Sequence, residues 1–186
     1  MIPTSAVDGS DLPMSHISKS PIERVAIPVL QRWKEEGRRI AMTTAYDAVS
    51  ARIADPIVDI LLVGDSVGNV CLGFDNTLPV SLAMMNHHLE AVARTKPHAL
   101  LVADMPFLSF HISAEETIRN AGGFLQRGAD AVKLEGGAKR ADMVRALVDC
   151  EIPVMGHIGL GSSAYLVQVS SSRFIVSDCA LSGGGQ

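Results

Sequence analysis

Asp65, Asp104, Glu135 and His157 each close a short apolar run: Leu61-Leu62-Val63-Gly64-Asp65, Leu100-Leu101-Val102-Ala103-Asp104, Ala131-Val132-Lys133-Leu134-Glu135 and Pro153-Val154-Met155-Gly156-His157. Runs of this length and composition read as buried parallel strands. A charge at the end of such a strand costs stability unless a cation or a hydrogen-bond network faces it. Asp65 and Asp104, with no Cys/His cluster beside them, suit a hard cation such as Mg²⁺, which keeps waters that a substrate can displace. The competing reading is structural, with Asp65 capping the next loop and Asp104 forming a turn with Pro106. Lys133 and Glu135 stand two apart on one strand, so their side chains share a face and Leu134 takes the other. They are either a structural ion pair or a working pair, Lys133 holding a substrate carboxylate and Glu135 ordering a water. His157 is either satisfied by a backbone group or a member of the same site. Nothing in the spacing recruits His87, His88 or His98, which lie on or beside a helix. Together these residues suit metal-assisted chemistry on a 2-oxo acid, whose keto and carboxylate oxygens can chelate the ion. Lewis-acid stabilisation of the enolate formed on proton loss is worth several kcal/mol. There is no H-E-x-x-H or P-loop motif.

The elements that must position these residues alternate between strand and helix. A first helix is expected with Pro28 at its first position, Gly37 past its end, and Leu30 and Trp33 buried. A strand over residues 40–46 and a short helix over 47–54, closed by Asp55-Pro56, follow. The loop 66–80 holds Val70, Leu72, Phe74 and Leu78, which predicts a packed loop over the site. Ser81 caps a helix that buries Met85, Leu89 and Val92. Ser113-Ala114-Glu115-Glu116 is a capping box opening a helix with Ile118, Ala121 and Leu125 inward and Gly128 at its end. A last helix, from about Lys139 to Asp149, turns Val144, Leu147 and Val148 inward. Repeated β-α units call for a parallel sheet with helices outside. No G-x-G-x-x-G follows the first strand, and side chains able to do chemistry gather at the ends of several strands. Both points favour a (β/α)₈ TIM-type barrel over a doubly wound sheet.

The chain has 186 residues, 47% hydrophobic and 19% charged, which suits one sizeable core. Its formal net charge of -4 argues against nucleic-acid binding. Cys71, Cys150 and Cys179 form no CxxC pair, so a disulfide framework is not expected and a reducing cytoplasm fits. No run approaches the roughly 18–20 apolar residues that span a bilayer. Residues 1–20, rich in Ser and Pro, are expected to be disordered. Residues 21–160 then form a barrel domain of about five β-α units, where a full barrel has about eight. Residues 161–186 are a Ser/Gly-rich tail with no helical period.

Several motifs stand in one order: Thr43-Thr44-Ala45-Tyr46-Asp47, Val63-Gly64-Asp65-Ser66, Gly73-Phe74-Asp75-Asn76-Thr77-Leu78-Pro79-Val80, Ala103-Asp104-Met105-Pro106-Phe107, Val132-Lys133-Leu134-Glu135-Gly136-Gly137 and Gly156-His157-Ile158-Gly159-Leu160. From about residue 22 to residue 160 the chain resembles the ketopantoate hydroxymethyltransferase family of pantothenate biosynthesis. The resemblance implies a (β/α)₈ barrel that uses Mg²⁺ and 5,10-methylenetetrahydrofolate to convert 3-methyl-2-oxobutanoate into 2-dehydropantoate. It implies Asp65 and Asp104 as metal ligands, with Glu135 close by in the ion's water shell. It implies Ser66, Asp104 and Lys133 at the oxo-acid, with His157 and Tyr46 in the same pocket. It also implies a cytoplasmic decamer. The family's proton-abstracting Glu ends a later strand, and nothing after Gly161 replaces it, so no catalytic base is assigned and this chain is expected not to turn over by itself. Two other readings stand beside it: a non-catalytic barrel fragment or interaction subunit, and an Mg²⁺-dependent lyase of 2-oxo acids.

Overall fold

The computed structural model describes residues 24–157 and the backbone of Phe174–Ser177. The expectation of disorder for residues 1–20 lies outside them, as does most of the tail. A helix α1 (Ile27–Glu35) leads into strand β1 (Met42–Thr44) and helix α2 (Ala48–Ala54). Strand β2 (Ile60–Val63) is followed by a helical turn, α3 (Val67–Val70), and by α4 (Leu82–Ala93). Then come β3 (Leu100–Asp104), α5 (Ala114–Gln126), β4 (Ala131–Glu135), α6 (Ala141–Asp149), β5 (Val154–His157) and β6 (Phe174–Ser177). All strands pair in parallel, in the order β1-β2-β3-β4-β5-β6. A doubly wound sheet reverses its strand order at a switch point, whereas a barrel wall runs strictly in sequence. The order observed here is that of a barrel wall.

Alternation along the strands separates two apolar layers. Leu61, Val63, Leu101, Ala103, Val132, Leu134 and Val154 face the outer helices, where Met85, Leu89, Val92, Ala121, Phe124, Val144 and Leu147 meet them. Ile60, Leu62, Leu100, Val102, Ala131 and Met155 face the other side and pack with Val25 and Leu30. Asp104, Lys133, Glu135 and His157 continue this second set by parity, so the concave face is apolar at one end and charged at the other.

Local sequence accounts for the element ends. Ser81 accepts from the Met84 N–H, and α4 buries Met85, Leu89 and Val92 as expected. Ser113 caps α5 through the Glu116 N–H, although the buried face is Thr117, Ala121 and Phe124, with Ile118 and Leu125 at its margin. A full capping box forms instead at Asp47 and Ser50. Helix α1 starts one residue before Pro28 and buries Leu30; Trp33 is half-buried, with the Arg38 guanidinium 3.4 Å over its ring.

Two further expectations needed correction. Strand β1 is shorter than residues 40–46 and exposed throughout, because β2 is its only strand neighbour among the described residues. In the loop after β2, Phe74 and Val80 pack on the core, but Val70, Leu72 and Leu78 are exposed. Within the Ser/Gly-rich tail, Phe174–Ser177 pairs in parallel with Val154–His157.

Gly68 fixes the path of the loop after β2. A Cβ there would lie 2.7 Å from Val80 Cγ2 and 3.4 Å from Phe74 Cδ2. Gly68→Ala is therefore expected to overpack this layer and cost about 1–3 kcal/mol. Urea unfolding checks this, and an unchanged midpoint would show that the layer yields freely.

Candidate active site

Strand register brings the candidate residues together. Asp104 is the cross-strand partner of Lys133, and Glu135 is the partner of His157. The Lys133 ammonium donates to both Asp104 oxygens, at 3.0 and 2.8 Å, and to Glu135 Oε1 at 3.2 Å. His157 Nδ1 lies 2.6 Å from the same Glu135 oxygen. Asp104 and Lys133 are 5% and 6% exposed, so this ion pair is dry and needs its mutual hydrogen bonds. Glu135 is exposed, and His157 half-buried at the rim.

A second group forms at the ends of β1 and β2. The Tyr46 hydroxyl lies 2.8 Å from Ser66 Oγ, and His88 Nδ1 lies 2.7 Å from the Tyr46 carbonyl oxygen. The spacing gave no role to His88, because the contact spans 42 residues of sequence. His98 pairs with Asp55 at 3.1 Å, away from these groups. Asp65 follows β2 half-buried, and its carboxylate has no hydrogen-bond donor among the described residues.

The charges do not balance. Burial pushes the Asp104 carboxyl up to about 6 against the pull of Lys133, and the charges of Asp65 and Glu135 add to the rise. Burial opposes the Lys133 ammonium, but Asp104 and Glu135 outweigh it and hold its pKa above the ordinary lysine value. Burial also pushes Glu135 up, yet Lys133 and His157 outweigh it and hold its carboxyl below the ordinary value. One ammonium thus serves two carboxylates, with a third close enough to be felt.

Asp104 gives the stability a sign. Its carboxyl rises from 3.8 to about 6 on folding, so between those values the folded chain holds a proton that the unfolded chain releases. Stability should fall as pH rises through that window and level off above it, by up to about 3 kcal/mol. Glu135 works the other way, its contribution being lost as pH falls below its ordinary 4.5. Urea unfolding in metal-free buffer from pH 4.5 to 7 should show the decline, and Asp104→Asn should flatten it.

The carboxylates fit a hard cation. They offer oxygen only, one is buried at unfavourable charge, and the cluster is net negative. They do not form a closed cage: among the described residues no group of three or more His, Cys, Asp or Glu is placed to hold an ion alone. Lys133 stands between Asp104 and Glu135. A cation here would draw its remaining oxygens from water and substrate, the arrangement Mg²⁺ favours.

The ketopantoate hydroxymethyltransferase family model matches residues 24–170. The chain belongs to this family. The match runs ten residues past the expected end at residue 160. One family relative, 3-methyl-2-oxobutanoate hydroxymethyltransferase 2 of Bradyrhizobium diazoefficiens, is 84% identical over 147 residues, covering 79% of this chain and 50% of the relative. The enzyme of Methylobacterium sp. is 77% identical over 134 residues, covering 72% of this chain and 47% of its own length. The chain spans about half the length of the curated relatives it matches. Among solved structures, phosphoenolpyruvate phosphomutase from Streptomyces platensis superposes with a TM-score of 0.58 at 13% identity, over 71% of this chain and 53% of that one. A 2,3-dimethylmalate lyase of the PEP mutase/isocitrate lyase superfamily gives 0.54 at 17% identity, over 72% and 52%. At such identities the likeness establishes the fold alone, a partial TIM-type barrel. No helix among the described residues is long and apolar enough to cross a membrane.

Proposed function

We propose that the charged end of the sheet is the oxo-acid half of a hydroxymethyltransferase site. The reaction moves a one-carbon unit from 5,10-methylenetetrahydrofolate to 3-methyl-2-oxobutanoate and yields 2-dehydropantoate. The observation that carries this reading is the buried Lys133 ammonium held between Asp104 and Glu135 within a net-negative cluster. Family membership supports it.

The chemistry sorts the residues. C3 of the oxo-acid loses its proton, a C–C bond forms to the folate methylene carbon, tetrahydrofolate departs and water supplies the hydroxyl. Asp65 and Asp104 would hold Mg²⁺, which when bound stabilises the negative charge growing on the keto oxygen. Lys133, fixed by its bonds to Asp104, presents its charge to the substrate carboxylate. Glu135 anchors that ammonium from the rim and orients His157 through Nδ1, leaving the other ring nitrogen free to face the pocket. The Tyr46–Ser66 pair supplies hydroxyl donors at the neighbouring strand ends. No side chain among the described residues is assigned as the base that takes the C3 proton. As a family member the whole protein would act as an oligomer in the cytoplasm.

Calorimetric titration of 3-methyl-2-oxobutanoate tests the reading. Binding should require Mg²⁺ and should be lost in Lys133→Ala; binding indifferent to both would overturn it. A separate expectation concerns the lysine itself. Its neighbours favour the charged form, so it is a poor amine nucleophile. Borohydride added with the oxo-acid should leave no adduct on Lys133, and a reduced adduct found by mass spectrometry would assign it Schiff-base chemistry.

A further inference from the structure

The loop between β3 and α5 holds features that the oxo-acid chemistry leaves unused. Phe107, Leu108 and Ile112 are 48%, 50% and 66% exposed. Leu108 has φ +66°, a backbone state that a bulky side chain seldom holds. In the same loop, Ser109 Oγ and His111 Nδ1 are buried with no hydrogen-bond partner among the described residues, and Ser109 is only 5% exposed. The His111 ring stands against Phe110 and Phe107, with centroids 4.1 and 5.5 Å away. Buried polar atoms are nearly always satisfied, so two unsatisfied in one loop call for an explanation.

The adjoining loop brings a cation. Arg140 closes the helical turn Gly137–Arg140 that follows β4. Its side chain folds back over Gly136, where an added Cβ would meet Arg140 Cγ at 2.6 Å. The guanidinium is close enough to act on His111, whose pKa is lowered first by burial and then by this charge. No hydrogen bond or ion pair among the described residues engages it. Because β3 and β4 are paired neighbours, both loops leave the sheet at the same end as Asp104 and Glu135. Phe107 follows Asp104 by three residues, within about 10 Å of chain.

We propose that the Phe107–Ile112 loop and Arg140 form the seat of the reduced folate, with its flat ring system on Phe107 and Leu108 and its glutamate carboxylates on Arg140. This rests on the hydroxymethyltransferase reading and adds where the one-carbon donor binds. Each part of the ligand meets a feature that is otherwise unexplained. A heteroaromatic face suits the exposed aromatic and apolar rim. A carboxylate suits a planar guanidinium with no partner among the described residues.

The test uses the whole chain with two probes, tetrahydrofolate and a tetrahydropterin that lacks the aminobenzoyl-glutamate tail, titrated by calorimetry. Arg140→Gln should weaken tetrahydrofolate by about tenfold or more, one charge-assisted contact being lost, and leave the tetrahydropterin unaffected. Phe107→Ala should weaken both. Neither substitution should alter Mg²⁺-dependent binding of the oxo-acid, and circular dichroism should confirm unchanged folding. Unaltered tetrahydrofolate binding in both variants would overturn the proposal. So would a wild-type chain that binds the oxo-acid but neither pterin. Failure of the wild-type chain to bind the oxo-acid would instead count against the function on which the proposal rests.

Discussion

Lys133→Met is expected to cost about 3–5 kcal/mol of stability and to abolish oxo-acid binding. The stability loss comes from Asp104, not from the lysine. Asp104 is 5% exposed and receives both of its ion-pair hydrogen bonds from Lys133 Nζ, at 3.0 and 2.8 Å. Without the ammonium, a buried carboxylate faces Asp65 and Glu135 with nothing to offset it. Adding Asp104→Asn to Lys133→Met removes that charge and should restore much of the stability. It cannot restore binding, since neither methionine nor asparagine offers a cation to a substrate carboxylate. Urea unfolding of both single variants and the double variant, with oxo-acid titration beside it, checks the prediction. A double variant as unstable as Lys133→Met would mean that packing of the lysine stem, rather than the orphaned charge, carries the loss.

Asp65→Asn should move stability and function in opposite directions. The Asp65 carboxylate has no hydrogen-bond donor among the described residues, and its charge raises the Asp104 pKa. Removing it relieves repulsion, so the metal-free chain should be unchanged or slightly more stable. Mg²⁺ would lose one of two anionic ligands, and its affinity should fall by at least tenfold, equivalent to about 1.4 kcal/mol. Asp104→Asn should lower affinity as strongly but also break a buried ion pair, so it should destabilise the chain. Metal titration followed by isothermal calorimetry, paired with urea unfolding, separates the two. Full Mg²⁺ affinity in either variant would remove that residue from the proposed ligand set.

The chemistry was legible in the sequence wherever one strand or one helix sufficed to define it. The shared face of Lys133 and Glu135 follows from period two, and the buried stripe of α4 follows from Met85, Leu89 and Val92. The particular pairing of Lys133 with Asp104, and of His157 with Glu135, depends on the register between strands, which no single run encodes. The same limit hid the bond of His88 to the Tyr46 carbonyl and the action of the Arg140 charge on His111. Short elements escaped for a local reason. Val67–Val70 makes one helical turn, too short for a 3.6-residue period to show, and α6 begins at Ala141 because a separate helical turn, Gly137–Arg140, takes up the residues before it. The apolar residues Val70, Leu72 and Leu78 suggested cover over the site, but composition does not fix which side of a loop faces inward. Phe174–Ser177 pairs as a strand within a Ser/Gly-rich tail, because Phe, Ile and Val favour extended backbone.

The strictly sequential strand order also sets a timetable. Each strand emerges from synthesis after the neighbour on whose edge it pairs. Asp65 and Asp104 therefore reach the mouth before Lys133 exists to neutralise them. A chain that stopped after β3 would carry Asp65 and Asp104 with no ammonium to offset them. The arrival of β4 delivers the counter-charge and the hydrogen bonds in one stroke. The ion pair then acts as a latch on the growing wall, and β5 adds His157 to an end that is already closed.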